Sequence, residues 1–155
     1  MKKIVWMLTL LALLALCLAG CGSNDAPVAE DGAAPRLSTE AAAYIEQTRA
    51  RSEALRSSLE NDALTQTEMN VTSQELRELW EGAMARLLEE AARILPEAEL
   101  AQLTADQFVW EAESQSAVDA ASQPYTGGSM YALIVNTEAA RLTEERVNAL
   151  LELLK

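Results

Sequence analysis

The chain has 155 residues, a formal charge of −12, no histidine, and two cysteines, Cys17 and Cys21. The lack of histidine excludes His-dependent catalytic triads, and no basic patch is present to follow a phosphate backbone, so nucleic-acid binding is disfavoured. Half of the residues are hydrophobic, enough for one domain with a modest core.

Lys2 and Lys3 precede an apolar run over residues 4–19 that ends in small residues. A charged start, an apolar stretch and a small-residue end make residues 1–20 a secretory signal, not a fold element. The ending Leu18-Ala19-Gly20-Cys21 resembles the lipobox of bacterial lipoproteins, in which the cysteine is diacylated and becomes the first mature residue. The resemblance implies lipidation of Cys21 and loss of Cys17 with the signal. Lys2 and Lys3 leave too, so ten basic residues face 24 acidic ones and the charge becomes −14. Anionic headgroups repel such a chain, so the membrane partner must be reached through acyl groups. One acyl chain anchors marginally; two hold firmly. Gly22 stands where an aspartate would retain a lipoprotein in the inner membrane. The implied location is therefore the cell envelope, outside the cytoplasm, and the outer membrane if the host has one. A mature chain of this kind has no disulfide, no thiol nucleophile, no Cys–His metal site and no sign of a cofactor.

Residues 21–36, the lipidated cysteine and GSNDAPVAEDGAAPR, are small, polar and acidic, and read as a disordered tether. The helical domain spans residues 37–155. Ser38 or Thr39 can cap its first helix, where Ala41, Tyr44, Ile45, Thr48, Ser52, Leu55 and Leu59 recur at helical steps. This stripe is thin, so the helix should pack weakly or peripherally and stop near Asn61-Asp62. Thr72-Ser73-Gln74-Glu75 has capping-box spacing. Behind it Leu76, Leu79, Trp80, Ala83, Leu87, Ala91, Ile94 and Leu95 make the strongest stripe. Pro96 breaks that helix and suits the start of the next. A third stripe runs through Leu100, Leu103, Gln107, Trp110, Ser114, Ala117, Val118 and Ala121. Thr104 offers a second start for it, but a continuous helix from about Glu97 fits better. Residues 122–129 are a loop by every local signal, and a last helix follows from Met130 to Leu154. No alternating β-branched run exists. The fold class is all-α: a small antiparallel bundle of three to four helices.

Several fragments share an order and spacing. Thr65-Gln66-Thr67-Glu68-Met69-Asn70 precedes a long helix, Gln107 and Trp110 share the next, and Gly127-Gly128-Ser129 opens the last, which carries Leu133-Ile134, Asn136, Leu142-Thr143 and Glu145-Arg146. Over residues 60–155 this set resembles the N-terminal domain of the LprI-type lysozyme inhibitors, small secreted or lipid-anchored bacterial helical domains. The resemblance implies a scaffold with Thr65, Glu68, Met69, Asn70, Gln107, Trp110 and Arg146 as structural positions. It also implies a cationic lysozyme-type protein as partner. Members usually carry four cysteines, near Asn61 and at about Thr72, Val118 and Glu138, none of which is cysteine here. Ala85, Leu88 and Ser114 stand where Asn, Tyr and Arg are common in the family. Hydrophobic packing would replace the disulfides.

Trp80 and Trp110 fall on apolar stripes and are expected as core anchors, Trp110 above all. Gln107 should hydrogen-bond a buried backbone group in the 61–72 connection. Thr65, Glu68 and Asn70 should cap the turn into the second helix. Arg141 and Arg146 should pair with nearby acids such as Glu138 and Glu145. Gly127-Gly128 should supply positive φ ahead of Ser129 as a cap. The candidate partner-binding residues are Tyr125, Gly127, Gly128 and Tyr131, with Tyr125 foremost because a loop-borne ring gives rigid contact area. Glu111 and Glu113, or Glu89 and Glu90, could be imagined as carboxylate pairs for glycoside chemistry, but at such helical spacings they read as a solvated face. The chain reads as a non-enzyme: a lipid-anchored protein that binds another protein. The alternative is a structural envelope lipoprotein with no lysozyme affinity, and a hydrolase ranks last.

Overall fold

The computed structural model describes residues 37–60 and 63–154. The signal segment, Cys21 and the tether lie outside the described residues. Four long helices, α1 (Thr39–Leu59), α2 (Gln66–Ile94), α3 (Glu97–Ser122) and α4 (Tyr131–Leu153), make up the domain, with a short 3₁₀ turn at Gln123–Tyr125. The expected all-helical bundle is what the chain forms. None of these helices is long and apolar enough to cross a membrane.

The most extensive interface joins α2 to α4. Asn136 Nδ2 donates to Ser73 Oγ at 3.3 Å, and Asn70 reaches the carbonyl of Ser129, so the starts of α2 and α4 lie together and the two run parallel. α1 runs antiparallel to both, with Arg51 on Glu75, Arg86 on Glu40 and Arg56 on Glu144. α3 returns antiparallel along α4, setting Gln107 against Arg146. The core therefore sits between α2 and α4, with α1 and α3 as flanking helices. Leu76, Trp80, Ala83, Leu87 and Ala91 from α2 meet Ala140, Val147, Leu150 and Leu154 from the α4 end, joined by Ile45 and Leu55 of α1 and Leu103 of α3.

α1 is peripheral, as its thin stripe suggests, but it does not pack weakly. Ala41, Ile45, Thr48, Ser52 and Leu55 are all buried, and Ile45 and Leu55 belong to the core cluster. Ser38 caps it, accepting from the Ala41 amide at 3.2 Å. Glu90 of α2 accepts from the Ser38 amide at 2.8 Å and from Arg93 at 2.8 Å. This carboxylate is 3 % exposed. Burial works against its ionisation, yet the Ser38 hydroxyl and amide and the Arg93 guanidinium outweigh that and hold it below the usual carboxylate range.

A lowered carboxylate contributes stability above its unfolded pKa, about 4.3, and that stability is lost as pH falls through the folded value. Glu90→Gln should therefore cost about 1 kcal/mol at neutral pH and flatten the stability curve as pH falls below about 5. Urea melts across that range check this. A variant curve parallel to wild type would mean that Glu90 does not set the acid sensitivity.

The second helix begins earlier than its sequence signal suggests. Its capping box is Thr65 with Glu68, not Thr72 with Glu75: Thr65 Oγ1 accepts from the Glu68 amide, and the Glu68 carboxylate accepts from the Thr65 amide at 2.8 Å. Hydrogen bonds from the Thr65 side chain and backbone hold the Glu68 carboxyl below its ordinary range. The earlier start extends α2 so that Asn70 and Ser73 reach the beginning of α4. Leu95 leaves helical geometry ahead of Pro96, and α3 is continuous from Glu97, with Thr104 bonding back to Leu100 inside it.

Candidate partner-binding site

The connection from α3 to α4 is tightly wound. Thr126 donates its amide and hydroxyl to Gln123, the Gly128 amide donates to the Tyr125 carbonyl at 2.9 Å, and the Tyr131 amide donates to Gly128. Gly127 has φ +79°, the left-handed region that favours glycine. Gly128 has ordinary φ; a Cβ there would stand 3.2 Å from the Tyr125 carbonyl oxygen. The expectation of positive φ thus holds for Gly127 only. Ser129 is not the cap either: Met130 occupies that position and makes no side-chain cap bond.

This winding brings Tyr125, Gly127, Gly128 and Tyr131 onto one end of the bundle. Tyr125 and Tyr131 are each about two-fifths exposed, and Met130 stands beside them, exposed as well. Asn70 Nδ2 donates to the Ser129 carbonyl at 3.5 Å, while its Oδ1 accepts from Gln66 Nε2. The loop is thus tied to the first turn of α2, where Thr65 and Glu68 form the cap and Met69 is half-buried.

Gln107, Trp110 and Arg146 form a second group at the α3–α4 joint. Arg146 Nε donates to Gln107 Oε1 at 2.9 Å, and its guanidinium lies 5.9 Å from the Trp110 ring centroid. Gln107 Nε2 faces Glu111 and the Met84 sulfur. Three expectations are corrected here. Among the described residues Gln107 bonds a side chain of α4, not the 61–72 connection. Arg146, among the described residues, pairs with an amide and a ring, not with an acid. Trp110 is only half-buried, since the one helix that α3 lies along covers only one side of it, whereas Trp80 is 0 % exposed. Arg141 behaves as expected, bridging Glu138 and Glu145 at 2.6 Å each.

Of the imagined carboxylates, Glu111 accepts from Gln107 Nε2 at 3.2 Å. Glu90 is committed to Ser38 and Arg93, and Glu89 faces Arg86. A surface groove of about 480 Å³ between α1 and α2 holds Glu40 and Glu89, both against Arg86.

The described residues form a small all-helical domain of four packed helices. Residues 57–150 match the family model "Lysozyme inhibitor LprI", well over half of the chain, and the chain belongs to that family. It is an inhibitor family and not an enzyme family. No curated protein and no solved structure matches the chain.

Phe108 and Val109 lie off the apolar stripe of α3. They are 71 % and 54 % exposed on the outer side of α3, opposite the stripe that marks its inner side. A second apolar period, through Ala101, Ala105, Phe108 and Ala112, marks them in the sequence.

Proposed function

We propose that this chain is a lipid-anchored envelope protein, attached through Cys21, whose helical domain binds and inhibits a cationic lysozyme-type muramidase. Membership of the LprI family carries the reading. The net charge of −12 supports it, because an acidic domain speeds encounter with a basic partner and loses that advantage in salt. The lipobox-like Leu18-Ala19-Gly20-Cys21 supports the anchor.

An inhibitor of this kind must cover a cleft or its rim, which takes a protruding, rigid contact. The Tyr125–Tyr131 loop offers one: two exposed rings on a turn whose backbone groups are paired internally. Rigid aromatic contacts lose little entropy on binding.

The test is inhibition of a c-type lysozyme by the full chain in non-ionic detergent, at low and physiological salt. Saturable inhibition that weakens with salt is expected. Tyr125→Ala should raise the inhibitor concentration needed by about tenfold, the effect of losing a modest hot spot. Absence of inhibition by a folded chain would instead favour a structural envelope lipoprotein.

A further inference from the structure

We infer that the outer face of α3 is a docking surface for a basic protein, separate from the Tyr125 loop. α3 packs along α4 and has no comparable interface with α1 or α2. Its inner side buries Leu103, Gln107, Val118 and Ser122. Steps of four, three and four residues put Ala101, Ala105, Phe108 and Ala112 together on the other side, with Val109 beside them. All five are exposed, and Phe108 is the most exposed large hydrophobic side chain among the described residues.

Acids frame this strip. At 3.6 residues per turn, Asp106 and Glu113 fall along one edge and Glu97 and Glu111 along the other. α3 contains no lysine or arginine. No ion pair among the described residues involves α3, whereas α1, α2 and α4 all carry them. An apolar centre inside a ring of uncompensated charge is the anatomy of an interface, with a water-excluding middle and a rim that selects the partner.

The charge decides the occupant. A second copy would set one acidic rim against another, and residues 22–36 bring Asp25, Glu30 and Asp31 with Arg36 as their only basic residue. An anionic bilayer is repelled in the same way. A basic protein surface with an apolar patch satisfies both parts of the face. Fourteen residues separate Phe108 from the end of α3, about 20 Å along the axis, so this face and the Tyr125 loop are distinct contacts. The inference rests on the proposed function in one respect, the cationic character of the partner.

The experiment measures binding of the full chain in non-ionic detergent to a c-type lysozyme and, separately, to cytochrome c, a basic protein without muramidase activity. Phe108→Ser/Val109→Ser should weaken lysozyme binding at least tenfold while the circular dichroism spectrum and melting temperature stay at wild-type values. Glu111→Gln/Glu113→Gln should weaken it and reduce its salt dependence. Wild-type affinity in the Phe108/Val109 variant, with loss in Tyr125→Ala, would overturn the α3 face and leave the muramidase reading standing. Binding to cytochrome c alone, lost with the Phe108 change, would support the face and overturn the muramidase. Binding to neither overturns both. A wild-type dimer in sedimentation that Phe108→Ser dissociates would make the face a self-contact and overturn the inference.

Discussion

Trp80→Ala should lower the folding free energy by about 3–5 kcal/mol, the usual cost of removing a fully buried large aromatic. Trp80 is 0 % exposed and lies within the core cluster shared by α2, α4 and α1. Its loss therefore opens a void where three helices meet, and rigid helices cannot collapse around it. The indole also has a polar role. Its Nε1 donates to Ser52 Oγ at 3.0 Å, a side-chain bond that crosses from α2 to α1 inside the core. Typical domains have only about 5–15 kcal/mol in total, so the alanine variant should be close to unfolding at 37 °C. Urea titration followed by circular dichroism measures this. Trp80→Phe separates the two contributions, since it keeps most of the volume and drops the donor. Ser52 then still accepts from Arg56 Nε at 3.3 Å, so phenylalanine should cost well under half as much as alanine. Equal losses in the two variants would sink the cavity argument and assign the effect to the hydrogen bond.

The sequence made the central helix and Trp80 legible because their apolar period is long and unbroken. It also marked the break at Pro96 and the loop at residues 122–129, where proline and glycine act through local geometry alone. The start of α2 was ambiguous for a local reason: Thr65-Gln66-Thr67-Glu68 and Thr72-Ser73-Gln74-Glu75 both have capping-box spacing. The choice between them is tertiary. Starting at Gln66 places Asn70 and Ser73 where Ser129 and Asn136 can bond them, and nothing within seven residues of either box encodes that. Trp110 teaches a related lesson. Periodicity reports which side of a helix faces inward, not how many helices wait there; α3 lies along one, so its inner stripe is covered less completely than that of α2. The same isolation leaves Phe108 and Val109 in solvent. A long-range partnership such as Gln107 with Arg146, 39 residues apart, has no local signature.

That partnership supplies the second large effect. Gln107→Leu should destabilise the domain by about 2–3 kcal/mol, because it removes the acceptor from a partly buried guanidinium. Gln107 is 7 % exposed, and its Oε1 receives Arg146 Nε at 2.9 Å. Arg146 Nη2 is already buried without a partner among the described residues, so the glutamine change would leave a second nitrogen of the same cation unmatched. Leucine fits the volume, which makes the cost electrostatic in origin and not a matter of packing. Arg146→Met removes the cation and keeps an unbranched stem that can lie against Trp110, where sulfur–aromatic contact is favourable. It should cost no more than about 1 kcal/mol, since replacing an incompletely paired buried charge by an apolar group is often near neutral. The double variant Gln107→Leu/Arg146→Met should then be more stable than Gln107→Leu alone. The cycle would give a coupling of about 1–2 kcal/mol, within the range for residues in contact. Midpoints of urea unfolding, at constant slope, report all four species. If Gln107→Leu lies within 0.5 kcal/mol of wild type, Arg146 is being satisfied by water and the joint between α3 and α4 is held by the apolar contacts of Leu103 and Val118 instead. If the coupling is found and Arg146→Met still inhibits lysozyme as wild type does, the three side chains belong to the scaffold and the partner is met elsewhere.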